Sequence, residues 1–227
     1  MDEPLRKMSR ALRRALRPAG SAPKASGHRA RQQMSTWTQV DRYPFIFRAM
    51  GDVHCETTDL RILSFGCSTG EEIQSLDAHY FTGARIDGVD IDEAALIAAR
   101  SKAYTNNDVE IFDFDAFANG SETYDLIFAM SVLCKWPTTK GISDISDIYP
   151  FSAFAETTTL LHARLAPRGH LVIFNANYRF EDTEAFAADC EVVPVMFEEE
   201  QFVHKFAPDG KRLVDESAGV VFFRRLS

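Results

Sequence analysis

Short apolar runs alternate with longer amphipathic stretches through the middle of the chain. Five runs are continuous enough to predict buried strands, at about 61–66, 84–90, 109–112, 124–130 and 170–177. The stretches near 70–80, 92–104 and 150–166 have helical spacing. Strands that alternate with helices predict an α/β fold with a mostly parallel sheet and helices on both faces.

The pattern changes in the last third of the chain. Gln201–Phe206 and Ala218–Phe223 are strand-like, and Pro208-Asp209-Gly210 between them is typical of a turn. We therefore predict a C-terminal antiparallel hairpin, which completes a Rossmann-like sheet of seven strands.

The sequence predicts that residues 1–34 form a basic and flexible tail and that residues 35–227 form a single domain. Leu5, Met8, Leu12 and Leu16 would share one face of a helix at 4–17. We favour a solvated tail, because isolated helices this short are marginal in water. The alternative is a helix that docks on a membrane surface or a partner. Residues 18–33 have the composition of a linker.

Charge divides the chain in the same place. Residues 1–34 carry nine Lys or Arg and two acids, a net charge of +7. The whole chain carries −8, so residues 35–227 carry −15. An acidic domain argues against nucleic acid as a partner, because phosphate contacts need clustered cations.

Cysteine and histidine usage points to a reduced compartment. The four cysteines are scattered without a CxxC pair, and the histidines show no metal-ligand spacing. We therefore expect a cytoplasmic protein with free thiols and no metal.

The stretch from Leu60 to Glu72 carries the strongest signal. An apolar strand leads into Gly66-Cys67-Ser68-Thr69-Gly70, and two glutamates then begin a helix. The glycines allow a ligand to approach the main chain, and the first N–H groups of the helix would face it. This predicts the first βα turn of a nucleotide-binding fold.

Asp90 strengthens this interpretation. It ends the second predicted strand, 20 residues after Gly70, where a carboxylate can accept hydrogen bonds from a ribose diol. Asp92 is expected to cap the next helix instead.

From about residue 59 to 225, the order of these signals resembles the class I S-adenosylmethionine-dependent methyltransferases. The similarity rests on the turn at 65–70, Asp90 in Gly88-Val89-Asp90, Asp115-Ala116, the fourth strand at 124–130 and the approach to the fifth strand at 165–171. Ser68 stands where that family usually has glycine. The string at 68–72 is similar to that of chemotaxis-receptor methyltransferases, although this chain has no room for their extra domains.

The resemblance implies S-adenosylmethionine as cofactor and a set of contacts to it. The backbone at Gly66, Cys67 and Ser68 would approach the methionine part, and Gly70 would begin the helix. Asp90 would hold the ribose. The adenine contacts would be Ile91, Asp115 and Ala116, with Asp113 as a rival to Asp115. Ser131, with Val132 and Leu133, would border the reactive methyl group. Arg42 is a candidate partner for the carboxylate, and Glu71 for the amino group.

The acceptor is less well defined by sequence. The favoured acceptor is a small molecule or a glycan-like compound that is methylated on oxygen, with contacts from the loop at 138–150. A hydroxyl acceptor needs a base, and Asp41, Tyr43 and His79 are candidates without a preferred one. The alternatives are a non-catalytic adaptor with this fold and a protein carboxylate methyltransferase.

Overall fold

One seven-stranded sheet forms the centre of the molecule. The computed structural model describes residues 37–195, 201–214 and 221–227, so the tail at 1–34 and the expected helix at 4–17 lie outside the described residues. The strands are β1 (Arg61–Phe65), β2 (Arg85–Asp90), β3 (Asp108–Asp113), β4 (Tyr124–Met130), β5 (Leu165–Phe174), β6 (Cys190–Val192) and β7 (Phe222–Arg225).

Helices flank the sheet. They are α1 (Pro44–Val53), α2 (Glu71–Ser75), α3 (Glu93–Arg100), α4 (Phe114–Ala118), α5 (Phe151–Arg164) and α6 (Glu184–Asp189). A π-helical turn at Leu76–Tyr80 extends α2, and a 3-10 turn covers Phe180–Asp182. None of the helices in the described ranges combines the length and the apolar character that crossing a bilayer requires.

The strand order is β3-β2-β1-β4-β5-β7-β6. Strands β1 to β5 pair in parallel, and β7 is antiparallel to both β5 and β6. The predicted Rossmann-like α/β fold is therefore confirmed. The order reverses between β1 and β4, and the crevice at the carboxyl ends of those strands is where such sheets bind ligands.

Both faces of the sheet are buried, which explains the continuous apolar runs. Side chains alternate between faces along a strand. Leu63 and Ile127 belong to one hydrophobic cluster, and Ile62 and Leu126 belong to the cluster on the opposite face.

The predicted hairpin is wrong in its first strand. The partner of β7 is β6 at 190–192, whereas 201–206 lies outside the sheet. The Phe206 N–H donates to the carbonyl of Asn177, and Phe206 forms an isolated bridge with Arg212 around the predicted turn. This segment therefore forms backbone hydrogen bonds with the loop after β5 and does not pair with a strand of the sheet. Residues 218–220 of the second predicted strand lie outside the described residues.

Candidate active site

The turn after β1 is closely packed against its neighbours. Gly66 and Gly70 have φ angles of 80° and 91°, a region that favours glycine. A Cβ atom on Gly66 would lie 2.5 Å from Cγ2 of Val132, and one on Gly70 would lie 2.5 Å from the Tyr104 hydroxyl. Conformation therefore favours glycine at both positions, and the lack of space adds to this most strongly at Gly66.

Asp90 fastens this turn to the end of β2. Its Oδ2 accepts a hydrogen bond from the Ser68 N–H at 2.8 Å, and its Oδ1 accepts from the N–H groups of Ile91 and Asp92 at 2.7 and 2.9 Å. A carboxylate has about four acceptor positions. Asp90 therefore keeps one acceptor position on Oδ2 for a further donor.

The candidate adenine contacts lie beyond Asp90, along the ends of β2 and β3. Ile91 is 44% exposed, which leaves an apolar surface next to the Asp90 carboxylate. The Asp113 Oδ1 atom accepts from the Ala116 N–H at 2.7 Å and thereby caps α4, while Asp115 is exposed. The capping role of Asp113 favours Asp115 over its rival as an adenine contact. Asp92 caps α3 through the Ala95 N–H, as predicted.

A pocket lies between this turn and the segment before α1. Its empty volume is about 380 Å³, including space open to solvent. The lining residues are Trp37, Thr38, Gln39, Arg42, Tyr43, Phe47, Gly66, Cys67, Ser68, Glu72 and Met130. The structure thus brings Arg42 together with Gly66, Cys67 and Ser68. The predicted contacts Gly70, Asp90, Ile91, Asp115, Ala116 and Ser131 do not line it.

Arg42 is held between two aromatic rings in this pocket. Its guanidinium carbon lies 4.6 Å from the ring centroid of Trp37 and 4.9 Å from that of Tyr43. The Nη1 atom also donates to the carbonyl oxygen of Trp37 at 3.3 Å. Stacking of this kind leaves the edge of a guanidinium available for a carboxylate.

Glu72 is the acid that reaches the pocket, and the sequence analysis considered Glu71 instead. The Glu72 carboxylate accepts a hydrogen bond from the Ser64 hydroxyl at 2.7 Å. Burial raises its pKa to about 7, although the Ser64 hydrogen bond and the Arg42 charge lower it in part. Glu71 is bound elsewhere, by Lys102 at 2.8 Å and by the Thr69 hydroxyl. The one signal in the sequence was Ser64, because a buried polar residue within a strand needs a partner.

A hydrogen-bond chain links the pocket to the ends of β4 and β5. The Tyr43 hydroxyl is 2.7 Å from the Ser131 Oγ, which accepts from the Asn175 Nδ2 at 3.1 Å. Ser131 and Asn175 both have positive φ angles, of 57° and 55°. These hydrogen bonds connect the start of α1 to the ends of β4 and β5.

Of the three candidate bases, Tyr43 alone lines the pocket. Burial raises the pKa of its hydroxyl, so the phenol stays protonated near neutral pH and is a poor base. Asp41 accepts a hydrogen bond from the Tyr80 hydroxyl, and the His79 ring packs near Tyr80.

In the described part of the chain, one group of side chains outside the pocket has the residue types and spacing to hold a metal ion. Ligand atoms of His162, Asp189 and Cys190 lie within 4.8 Å of one another. The Asp189 carboxylate is already bound by His162, Arg225 and Ser227. We therefore interpret the group as an ion-pair network that joins α5 to the C-terminal strand.

Comparison with known proteins supports the class suggested by the fold. Residues 63–148 match the family model described as a methyltransferase domain. No curated protein sequence matches this chain. The family match and the strand order both agree with a class I S-adenosylmethionine-dependent methyltransferase domain.

Solved structures are similar only at a low level. Magnesium protoporphyrin IX methyltransferase from Synechocystis PCC 6803, with bound S-adenosylmethionine, aligns at a TM-score of 0.48 and 18% identity over 78% of this chain and 75% of that chain. A plantazolicin methyltransferase with S-adenosylhomocysteine aligns at 0.40 and 19%, over 57% of this chain. This chain spans only 44% of the length of the plantazolicin enzyme.

Proposed function

We propose that this protein transfers a methyl group from S-adenosylmethionine to an oxygen atom of a small-molecule or glycan-like acceptor. One observation carries the proposal: Arg42 and Glu72 both line the pocket beside the glycine turn. A guanidinium and a carboxylate in one pocket match the carboxylate and ammonium groups of an amino acid. The methionine part of the cofactor has this pair of charges.

The rest of the cofactor fits the neighbouring surface. The remaining acceptor position of Asp90 suits one ribose hydroxyl, and release of the Ser68 N–H would admit the second. Exposed Ile91 offers an apolar face to the adenine ring, and Asp115 an acceptor for its amino group. The domain that binds it would extend over residues 35–227.

The bound cofactor supplies an activated methyl group, so the protein needs mainly to orient the acceptor and exclude water. Tyr43 and Ser131 hold the ends of β4 and β5 against α1, where the acceptor would enter. Since the Tyr43 phenol stays protonated, its role is to donate a hydrogen bond and position neighbouring groups. We further propose a cytoplasmic location.

The test is calorimetry with two ligands that differ in the amino-acid part. S-adenosylhomocysteine carries it and 5′-methylthioadenosine lacks it. Glu72→Gln should weaken binding of S-adenosylhomocysteine about tenfold or more, as expected for one lost charged contact, and leave methylthioadenosine within twofold. Glu71→Gln is the matched control, because its carboxylate is bound to Lys102.

Two outcomes would count against the proposal. If wild-type protein binds neither ligand, the chain is a non-catalytic member of the fold. If Glu71→Gln is the more damaging variant, the amino group lies on the other side of α2. Transfer of tritiated methyl groups into fractionated metabolite, glycan and protein pools would then identify the acceptor class.

A further inference from the structure

Two aromatic side chains lie next to each other at the acceptor end of the site. The ring centroids of Trp136 and Phe202 are 5.5 Å apart at an interplanar angle of 66°. Phe202 is 42% exposed and Trp136 is half-buried. The exposed part of this pair is an aromatic surface on which a flat molecule can stack.

This aromatic pair is connected to the cofactor pocket. The Phe202 N–H donates to Oδ1 of Asn175 at 3.2 Å, and Nδ2 of Asn175 donates to the Ser131 hydroxyl. Ser131 in turn contacts Tyr43, which lines the pocket. Hydrogen bonds through Asn175, Ser131 and Tyr43 therefore connect the aromatic pair to the pocket.

Asn177 holds the two loops that carry the rings. Its Oδ1 accepts from the Lys135 N–H at 2.8 Å, and its Nδ2 donates to the carbonyl of His204 at 3.1 Å. The loop after β4 and the segment from residue 201 are thus fixed to the same side chain, beyond the end of β5. The aromatic surface is part of the folded domain.

One cation contacts this surface, and two others lie on neighbouring parts of the chain. The exposed Lys140 has its Nζ 5.6 Å from the Trp136 ring centroid. The Lys205 ammonium is buried and donates to the carbonyl of Ala176. Arg212 lies 2.9 Å from the Nδ1 of His204. The nearby carboxylate of Asp209 is paired with Lys211 at 3.3 Å.

Cations also lie near the thiol of Cys134, which follows the end of β4. Burial raises the pKa of the Cys134 thiol, while the Trp136 backbone hydrogen bond and then the charges of Lys205, Arg42 and Lys135 lower it in part. Three cations therefore lie close enough to Cys134 to influence its ionisation. An acceptor that enters here meets the Lys140 ammonium group next to an aromatic surface.

We propose that Trp136, Phe202 and Lys140 form the acceptor subsite, and that it takes a planar aromatic or conjugated molecule with a carboxylate group. The inference rests on the proposed methyltransferase function and specifies its substrate class. The rings stack on the flat part of the acceptor, and Lys140 binds the anionic group. The atom to be methylated points toward Ser131.

Calorimetry with model compounds tests this on the full chain, in the presence and absence of S-adenosylhomocysteine. The probes are 2-naphthoate, its uncharged analogue 2-naphthamide, and the saturated decahydro-2-naphthoate. We expect 2-naphthoate to bind at least tenfold more tightly than either analogue. Lys140→Gln should weaken 2-naphthoate at least fivefold and leave 2-naphthamide unchanged.

Lys211→Gln is the matched control, because Lys211 is an exposed lysine that is already paired with Asp209. It should change none of the three affinities. Trp136→Phe should retain most of the binding that Trp136→Ala removes, and thermal melting shows whether either variant is still folded. The inference is overturned if naphthoate does not bind, if naphthamide or the saturated acid binds equally well, or if Lys140→Gln and Lys211→Gln act alike.

The proposed function and this inference fail separately. S-adenosylhomocysteine binding without discrimination among the naphthyl probes would remove the inference and leave the methyltransferase proposal in place. Loss of S-adenosylhomocysteine binding would remove the methyltransferase proposal. Selective binding of naphthoate in that case would still establish an aromatic carboxylate site, with another function.

Discussion

The turn after β1 and the loops after β4 and β5 lie at the same edge of the sheet, but different parts of the chain build them. The turn is a continuous stretch, with glycine at two positions of positive φ that are closely packed against neighbouring side chains. The acceptor end joins Ser131, Trp136, Asn175 and Phe202, which are far apart in sequence. A contiguous backbone cradle depends on local conformation, whereas the acceptor end depends on side chains that meet only after the sheet has formed.

The largest effect should come from Gly66→Ala, with Gly83→Ala as its control. Both glycines have positive φ angles, of 80° and 84°. The strain of a Cβ there costs roughly 1–2 kcal/mol at either position. Only Gly66 adds a collision with the stiff Val132 side chain, worth about a further 1–3 kcal/mol, because nothing lies within 4 Å of a Cβ at Gly83.

Chemical denaturation and calorimetry separate the two contributions. Gly66→Ala should lose roughly twice as much stability as Gly83→Ala and should no longer bind S-adenosylhomocysteine. Gly83→Ala should bind normally. Equal destabilisation by both variants would mean that Val132 yields, and that space is not the reason for glycine in this turn.

The same contrast decides what could be predicted from the sequence. The strands, Gly66, Gly70 and the cap at Asp92 follow from local signals, because period, backbone freedom and capping act within a few residues. Glu72 and the Phe202 contact could not be read in this way. Which of two adjacent acids turns inward depends on the packing of α2 on the sheet. The segment at 201–206 has strand-like residues, but Asn177 and the loop after β5 take up its hydrogen bonds.

The pH dependence of stability tests the partly buried Glu72 at the cofactor end. The ordinary pKa of a glutamate is near 4.5, and burial raises that of Glu72 to about 7. Between these values the folded state keeps a proton that the unfolded state has lost, so the free energy of unfolding falls as pH rises through this window. The change is at most roughly 3 kcal/mol.

Glu71 supplies a contrast of opposite sign. Although burial raises its pKa, hydrogen bonds from Lys102 and Thr69 outweigh this effect and lower the pKa overall. Its contribution to stability is therefore present at neutral pH and is lost as pH falls below the ordinary range. Melting curves from about pH 2.5 to 8 should show Glu72→Gln gaining on wild type as pH rises from 4.5 to about 7, and Glu71→Gln losing as pH rises toward 4.5. Parallel curves for wild type and Glu72→Gln would mean that folding does not raise the pKa of Glu72.

The smallest effect on stability should come from the hydrogen bonds that connect the cofactor pocket with the acceptor end. Tyr43→Phe removes one hydroxyl, and Ser131 keeps its hydrogen bond from Asn175. The net loss is about 1 kcal/mol, or a shift of about 2–4 °C in melting temperature for a domain of this size.

The same variant tests whether the cofactor pocket and the acceptor end are coupled. If they are independent, Tyr43→Phe has no effect on binding. If the Tyr43–Ser131–Asn175 chain couples them, 2-naphthoate binds wild type more tightly when S-adenosylhomocysteine is present, and Tyr43→Phe reduces that gain while leaving each separate affinity within about twofold. A gain that Tyr43→Phe leaves intact would show that coupling runs through the bound cofactor itself, and that this hydrogen-bond chain only holds α1 in place.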